Sequence, residues 1–358
     1  MHHDYQKIVV KVGSNVLSKA DGTPDLVQMK NLVRQIASLV RKGKKIILVS
    51  SGAVAFGRSS GTMIDIRDEI ARRQVWASLG QIRMIREYQK YFEEENILCS
   101  QVLVTRDDFR SRRHYLNMRQ CLKHLTSQGI LPIINENDVV SITELMFTDN
   151  DELAGLVSAM VEADALIILT NVDGVFNGHP KESTSHLVEK FYPGEIIPPT
   201  IVTEQKSSFG RGGMRTKVYL ASKTAKLGIS VHIANGFHPN ILQHVLEGTI
   251  PHSHFLPAEN IDGRKKWIAH SHHFTEARVV INEGAVAALQ SAKATSLLPI
   301  GIISISGEFQ KGEIVQIVNQ QGTLVALGQA SYDSVDAMER IGQAHQKPLV
   351  HYDYLYVV

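Results

Sequence analysis

The sequence predicts an α/β protein: a mainly parallel sheet with helices on both faces, a three-layer sandwich, followed by a small, mostly β domain. Three observations predict it. Apolar runs alternate with amphipathic stretches from residue 8 to residue 233, as expected of strands buried on both faces and joined by helical crossovers. The pattern changes at Pro257-Ala-Glu-Asn-Ile-Asp-Gly-Arg-Lys-Lys266, a polar segment read as a linker. The 358 residues exceed one ordinary core and suit two domains, taken as 1–258 and 259–358.

The elements follow in order. Ile8-Val-Val-Lys-Val12 is a buried strand ending at Gly13. Over 25–41, Leu26, Met29, Leu32, Val33, Ile36, Leu39 and Val40 recur at helical spacing, and Gly43 stops the helix. Lys45–Ser50 is a second strand, 69–92 a helix, 97–104 a strand, 112–127 a helix and 130–134 a strand. Residues 150–162 are helical, 165–169 a strand, 214–227 helical and 229–233 a strand. Beyond the linker come β-type segments at 278–281, 301–305, 313–318 and 323–327, broken by glycines.

Composition excludes several classes. A hydrophobic content of 43% with 21% charged residues describes a globular chain. The formal net charge of +2 gives no strong field for nucleic acid or membrane. Two cysteines, Cys99 and Cys121, exclude a disulfide framework and a cysteine-rich zinc site. No apolar run reaches about 18 residues, and Met1–Lys7 has no apolar signal core. A cytoplasmic protein is expected. The sixteen histidines are scattered and read as exposed polar residues.

Chemistry is expected beyond the carboxyl ends of the strands, where open α/β sheets bind ligands. The most informative stretch is Phe209-Gly-Arg-Gly-Gly-Met-Arg-Thr-Lys217, in which three glycines precede a helical pattern. Uncovered N–H groups and the positive end of a helix dipole there favour an anion. Lys217 falls on the first turn, within reach of a phosphate. Lys11 lies in an otherwise apolar strand, a costly place for a charge unless it meets an anion; the alternative is an edge lysine. Other strand ends carry Gly13-Ser14, Ser50-Ser51-Gly52, Asn135-Glu136-Asn137-Asp138 and Thr170-Asn171-Val172-Asp173. Thr148-Asp149-Asn150-Asp151-Glu152 opens a helix, and N-capping explains one of its residues but not all five. Two lysines, glycine turns and carboxylates at one sheet edge suit phosphoryl transfer, which depends on positioning and charge stabilisation. No Ser/His/Asp triad or metal cage is evident.

On Lys11-Val-Gly-Ser14, Ser50-Ser-Gly-Ala-Val54, Asn135-Glu-Asn-Asp138, Asp149-Asn-Asp151 and Gly212-Gly-Met-Arg-Thr-Lys217, the chain resembles the glutamate 5-kinase family of the amino acid kinase superfamily. Its C-terminal segment resembles a PUA domain, a small β-barrel. The resemblance implies ATP-dependent phosphorylation of the side-chain carboxylate of L-glutamate, the first step of proline synthesis, with L-proline as inhibitor. It implies catalytic roles for Lys11, Asp151 and Lys217, and glutamate binding by Ser51, Asn135, Asp138 and Asn150. Nucleotide contacts would come from Lys11, Gly13, Ser14, Thr170, Asn171, Arg211, Gly212, Gly213, Met214, Arg215, Thr216 and Lys217. Mg²⁺ would arrive with ATP rather than in a protein metal site. A homo-oligomer, dimer or tetramer, and functional coupling to glutamate-5-semialdehyde dehydrogenase are further expectations.

Three positions depart from the family pattern. Lys11-Val-Gly-Ser-Asn15 replaces the commoner Lys-Leu-Gly-Thr/Ser-Ser, Asn171 stands where Asp is frequent, and Arg211 where Thr is common. Rival readings are a kinase for acetylglutamate or carbamate, an RNA-binding protein, and an inactive scaffold. The acidic Asp138 suits a free amino group and disfavours the first. Residues 260–358 hold eight Lys/Arg against nine Asp/Glu, which disfavours the second, since nucleic-acid binding leaves a basic footprint. The presence of Lys11, Asp151 and Lys217 disfavours the third.

Overall fold

The computed structural model describes residues 4–59, 61, 65–110, 112–140, 149–179, 182, 184–195, 197, 213–259, 268, 277–291 and 295–358. The chain divides into two compact units, Met1–Thr105 with Arg119–Asn260, and Arg106–Met118 with Ile261–Val358.

In chain order, the elements up to residue 260 are β1 (Lys7–Val12), α1 (Leu26–Arg41), β2 (Lys45–Ser50), α2 (Ala53–Arg58), α3 (Glu69–Glu94), β3 (Cys99–Val104), α4 (Asp107–Arg110), α5 (Arg112–Ser127), β4 (Leu131–Glu136), α6 (Asn150–Val161), β5 (Ala165–Thr170), β6 (Lys190–Phe191), α7 (Met214–Ala225), β7 (Ser230–Asn235), α8 (Ile241–Glu247) and β8 (Ser253–Phe255). The eight strands form one sheet in the order β3-β4-β2-β1-β5-β7-β8-β6. All pairs are parallel except β7–β8, so the predicted largely parallel sheet is present. Parallel pairing brings the carboxyl ends of β1, β2, β4, β5 and β7 to one edge.

Strand periodicity decides which helices meet which side chains. Ile8, Val10 and Val12 of β1 pack into a core with α1, α3 and α8 residues such as Met29, Met84 and Leu242. Lys11 therefore belongs to the opposite face, where α6 lies against β1. Asp25 caps α1 by accepting from the Gln28 N–H at 3.0 Å, a bond worth about 1 kcal/mol. Helices α2 and α3 approach closely through two glycines. A Cβ on Gly80 would overlap the Ala53 carbonyl, and one on Gly57 the Trp76 carbonyl. This contact seats α3 beside the end of β2.

The histidine expectation fails at β7 and β8. His232 and His254 are only 1% and 8% exposed, and they are register partners across the antiparallel pair. Their rings stack at 4.2 Å. Ser230 Oγ lies 2.6 Å from His254 Nε2, and His232 Nδ1 lies 2.9 Å from His252 Nε2. The Tyr5 hydroxyl donates to Ser230 Oγ at 2.7 Å. Antiparallel pairing of β7 with β8, the next strand after α8, buries these rings, and hydrogen bonding makes that burial tolerable.

The elements that follow are β9 (Arg278–Ile281), α9 (Glu283–Gln290), β10 (Ile302–Ser306), β11 (Ile314–Val318), β12 (Leu324–Gln329), α10 (Ser334–Glu339) and β13 (Leu355–Val357). The strands form a second sheet in the order β10-β9-β11-β12-β13, with β9–β11 parallel and the rest antiparallel. Its core includes Val279, Ile281, Leu297, Val315, Ile317, Ala326, Leu349 and Val350. This matches the expected small, mostly β domain. Among the described residues, no helix is long and apolar enough to cross a membrane.

Candidate active site

Lys11 of β1, Asp151 of α6 and Lys217 of α7 meet at the carboxyl edge. Lys11 Nζ lies 2.6 Å from Asp151 Oδ1, and Lys217 Nζ lies 2.9 Å from Asp151 Oδ2. Asp151 is fully buried and Lys11 is 4% exposed. Burial pushes the Asp151 carboxyl up, but the charges and hydrogen bonds of the two lysines outweigh it and hold the group below the usual carboxylate range. Burial lowers Lys217, yet Asp151 and Asp149 leave it above its ordinary value. Asp151 thus stays ionised between two lysine ammonium groups.

Asp149 caps α6, accepting from the Asp151 and Glu152 N–H groups at 2.9 and 3.2 Å. The capping explanation thus holds for this residue of the cluster. Burial, then the charge of Asp151, pushes its carboxyl up to about 7. Raised in this way, Asp149 adds only part of a negative charge beside the two lysines at neutral pH.

Two backbone features complete this half. Gly13 donates its N–H to the Leu169 carbonyl at 3.2 Å, and a Cβ there would stand 3.6 Å from Lys11 Nζ. That N–H is thus directed to the backbone rather than towards a phosphate. Gly213 caps α7 without a side chain, leaving the N–H groups of Met214, Arg215 and Thr216 without intrahelical acceptors beside Lys217. Arg211 and Gly212 lie outside the described residues.

The second half is an amide network. Asn150 Nδ2 lies 3.0 Å from each of the Ser50 carbonyl, Ser51 Oγ and Asn135 Oδ1. Asn135 Oδ1 also accepts the Glu136 N–H at 2.9 Å, and Asn135 Nδ2 donates to Gln81 Oε1 at 2.8 Å. Gly52, at φ 110°, makes the turn after Ser51 in a conformation that favours glycine. Ser51, Asn135 and Asn150 therefore converge. Asp138 sits apart from their hydrogen bonds, with Arg73 Nη2 3.8 Å from its Oδ1. β4 runs through Glu136, so Asn135 and Glu136 are buried strand residues rather than the start of a loop.

At the edge beyond β5, Thr170 is buried and its Oγ1 lies 3.4 Å from Asn171 Oδ1. Asp173 accepts from Asn235 Nδ2 at 3.0 Å and lies 2.8 Å from His238 Nε2. Ser14 lies in the turn after β1 and its carbonyl accepts the Leu17 N–H. Sequence reasoning missed Arg73, Gln81 and the Asp173–His238 pair. For Gln81 a signal existed, because Gly80 interrupts a helical pattern and such glycines mark close approach. Among the described residues, no group of three or more His, Cys, Asp or Glu could hold a metal ion.

The pattern of the Amino acid kinase family matches residues 6–235, and that of the PUA domain residues 277–351. The glutamate 5-kinase of Bacteroides thetaiotaomicron is 46% identical over 100% of both chains. The chain belongs to the glutamate 5-kinase branch of the amino acid kinase family. A second member of that branch, from Chlorobaculum tepidum, is 45% identical over 100% of this chain and 99% of its own. Among solved structures, the isopentenyl phosphate kinase substrate complex superposes with a TM-score of 0.53 at 13% identity, covering 70% of this chain and 99% of that one. At that identity the likeness shows the fold alone. The family of kinases implies use of ATP.

Proposed function

We infer that the protein transfers the γ-phosphoryl group of ATP to the side-chain carboxylate of L-glutamate, giving γ-glutamyl 5-phosphate and ADP, the first step of proline synthesis. The observation that carries this reading is the convergence of Lys11 and Lys217, from separate elements, on one buried carboxylate. A carboxylate oxygen of glutamate forms a bond to the γ-phosphorus as the bond to the β,γ-bridging oxygen breaks. The acceptor is already ionised at neutral pH, so no general base is needed. The work left to the protein is positioning and charge stabilisation.

In this reading, Lys11 and Lys217 neutralise charge on the transferred group and Asp151 fixes their positions. The N–H groups at the start of α7 donate to phosphate oxygens. Thr170, Asn171, Ser14 and the 211–217 segment hold the nucleotide, and Gly13, whose N–H is taken by the Leu169 carbonyl, contributes only the space left by its missing side chain. Ser51, Asn135 and Asn150 bind the acceptor, and Asp138 its ammonium. Both Asp151 oxygens are engaged by lysines, which fits a Mg²⁺ that arrives on the phosphates and supplies further neutralisation.

L-Proline competes with glutamate in this account. The segment between the acidic clusters, 139–149, is the element to reorder, although 141–148 lie outside the described residues. The enzyme is a cytoplasmic homo-oligomer that passes its labile acyl phosphate to glutamate-5-semialdehyde dehydrogenase. Residues 1–258 suffice for the transfer. The test is trapping with hydroxylamine: L-glutamate should yield γ-glutamyl hydroxamate and N-acetyl-L-glutamate should not. Equal turnover of both acceptors would overturn the assignment.

A further inference from the structure

The hydrogen bonds around Asn150 extend through Asn135 to Gln81 of α3. The Ser50 carbonyl can only accept, so the Asn150 amide turns its Nδ2 towards it. The Glu136 N–H can only donate, so Asn135 turns its Oδ1 towards it. Asn135 Nδ2 must then face Gln81, which offers Oε1 at 2.8 Å. The orientation of all three amides follows from two backbone groups. It leaves Gln81 Nε2 as a buried donor with no hydrogen-bond partner among the described residues. Leaving such a buried donor unmatched is costly, so it calls for an acceptor.

Gln81 is also held in place. Its neighbour Gly80 packs on the Ala53 carbonyl so closely that no Cβ fits, and α2 begins two residues after Ser51. The donor is thus fixed relative to the Ser51–Asn150–Asn135 network. Asn150 adjoins Asp151, whereas Gln81 stands two hydrogen bonds further along the chain of amides. It therefore serves the end of the acceptor remote from the transferred phosphoryl group. Arg73 already faces Asp138.

Resting on the glutamate reading, we propose that Gln81 is a further substrate-binding residue, whose Nε2 donates to the α-carboxylate of the acceptor. Gln81→Glu keeps an oxygen for Asn135 and replaces the donor with a negative charge. The KM for L-glutamate should rise at least about tenfold, as for loss of a hydrogen bond to a charged group, with kcat and the KM for ATP changing less. L-Isoglutamine, whose α-carboxylate is an uncharged amide, supplies the second arm. Its kcat/KM relative to L-glutamate should increase in Gln81→Glu, because its amide can donate to the new carboxylate.

Gln81→Ala removes donor and acceptor together. It should raise the glutamate KM while leaving that of isoglutamine less affected. Unchanged glutamate KM in both variants, or equal loss for the two acceptors, would overturn the role of Gln81. A wild-type enzyme that makes no hydroxamate from L-glutamate would instead overturn the acceptor assignment itself.

Discussion

One sheet buries two polar clusters, and they resolve the cost of burial in opposite ways. At the carboxyl edge, Lys11 and Lys217 both pair with the one ionised carboxylate of Asp151. Towards the amino-terminal end of β7, Tyr5, Ser230, His232, His252 and His254 hydrogen-bond to one another. His252 Nδ1 donates to the Ile250 carbonyl, so its Nε2 accepts from His232 Nδ1. Ser230, which receives the Tyr5 proton, can donate to His254 Nε2. These tautomers follow from the network. Every donor named there finds an acceptor. The edge cluster keeps unbalanced charge, and the amide network beside it keeps an unused donor at Gln81. Buried polarity left incomplete points to a ligand, whereas buried polarity that closes on itself points to structure.

The sharpest break of this comparison comes from the edge. Lys11→Ala should lower kcat by at least about 10²–10³, the usual cost of losing one charge-stabilising donor, with a smaller rise in the glutamate KM and an unchanged circular dichroism spectrum. A smaller and different effect is expected at Asp138. Asp138→Ala should raise the glutamate KM by roughly 10- to 100-fold, through loss of a charged hydrogen bond, and change kcat less. Steady-state kinetics with both substrates varied separates the two outcomes.

The histidine cluster should leave catalysis alone and govern acid stability. Burial lowers the pKa of His252 below its ordinary value of 6.5, although the Ile250 carbonyl and Glu189 oppose the shift, and Asp164 is the charge facing Tyr5. The unfolded chain then binds more protons than the native one. Stability is fully present above pH 6.5 and declines as pH falls below it. Thermal melts of the wild type should show this fall, and His252→Phe, which removes the titrating group, should flatten it at the cost of about 1–3 kcal/mol at neutral pH. The smallest effect has the opposite sign. The Asp149 carboxyl is raised to about 7, so its contribution is fully present below the ordinary carboxylate pKa and is lost as pH rises through 7. Asp149→Asn, which keeps a capping oxygen, should remove that loss in melts between about pH 4 and 7.

Most of the sheet was legible because its strands are apolar runs and its helices strongly periodic. The helix predicted at 112–127 has those same bounds in α5. Helices α2 and α8, of six and seven residues, and the short strands β6 and β8 fell below any periodic window. Lys11, Asp151 and Lys217 were readable as motif residues, but their convergence depends on strand order. Arg73 was not readable, because α3 carries no phosphate or acceptor motif, and for Gln81 the one local signal was the glycine beside it, Gly80. The histidine cluster depends on the antiparallel register of β7 with β8, which places His232 opposite His254. No local pattern encodes that pairing.

The central claim is that the paired lysines act on the moving phosphoryl group rather than on acceptor binding. The most direct test is kcat of Lys217→Ala with ATP and L-glutamate both saturating, read as γ-glutamyl hydroxamate formed. It should fall by at least about 10²–10³ in a folded enzyme whose glutamate KM changes much less. A near-normal kcat would contradict a role for the lysines on the phosphoryl group.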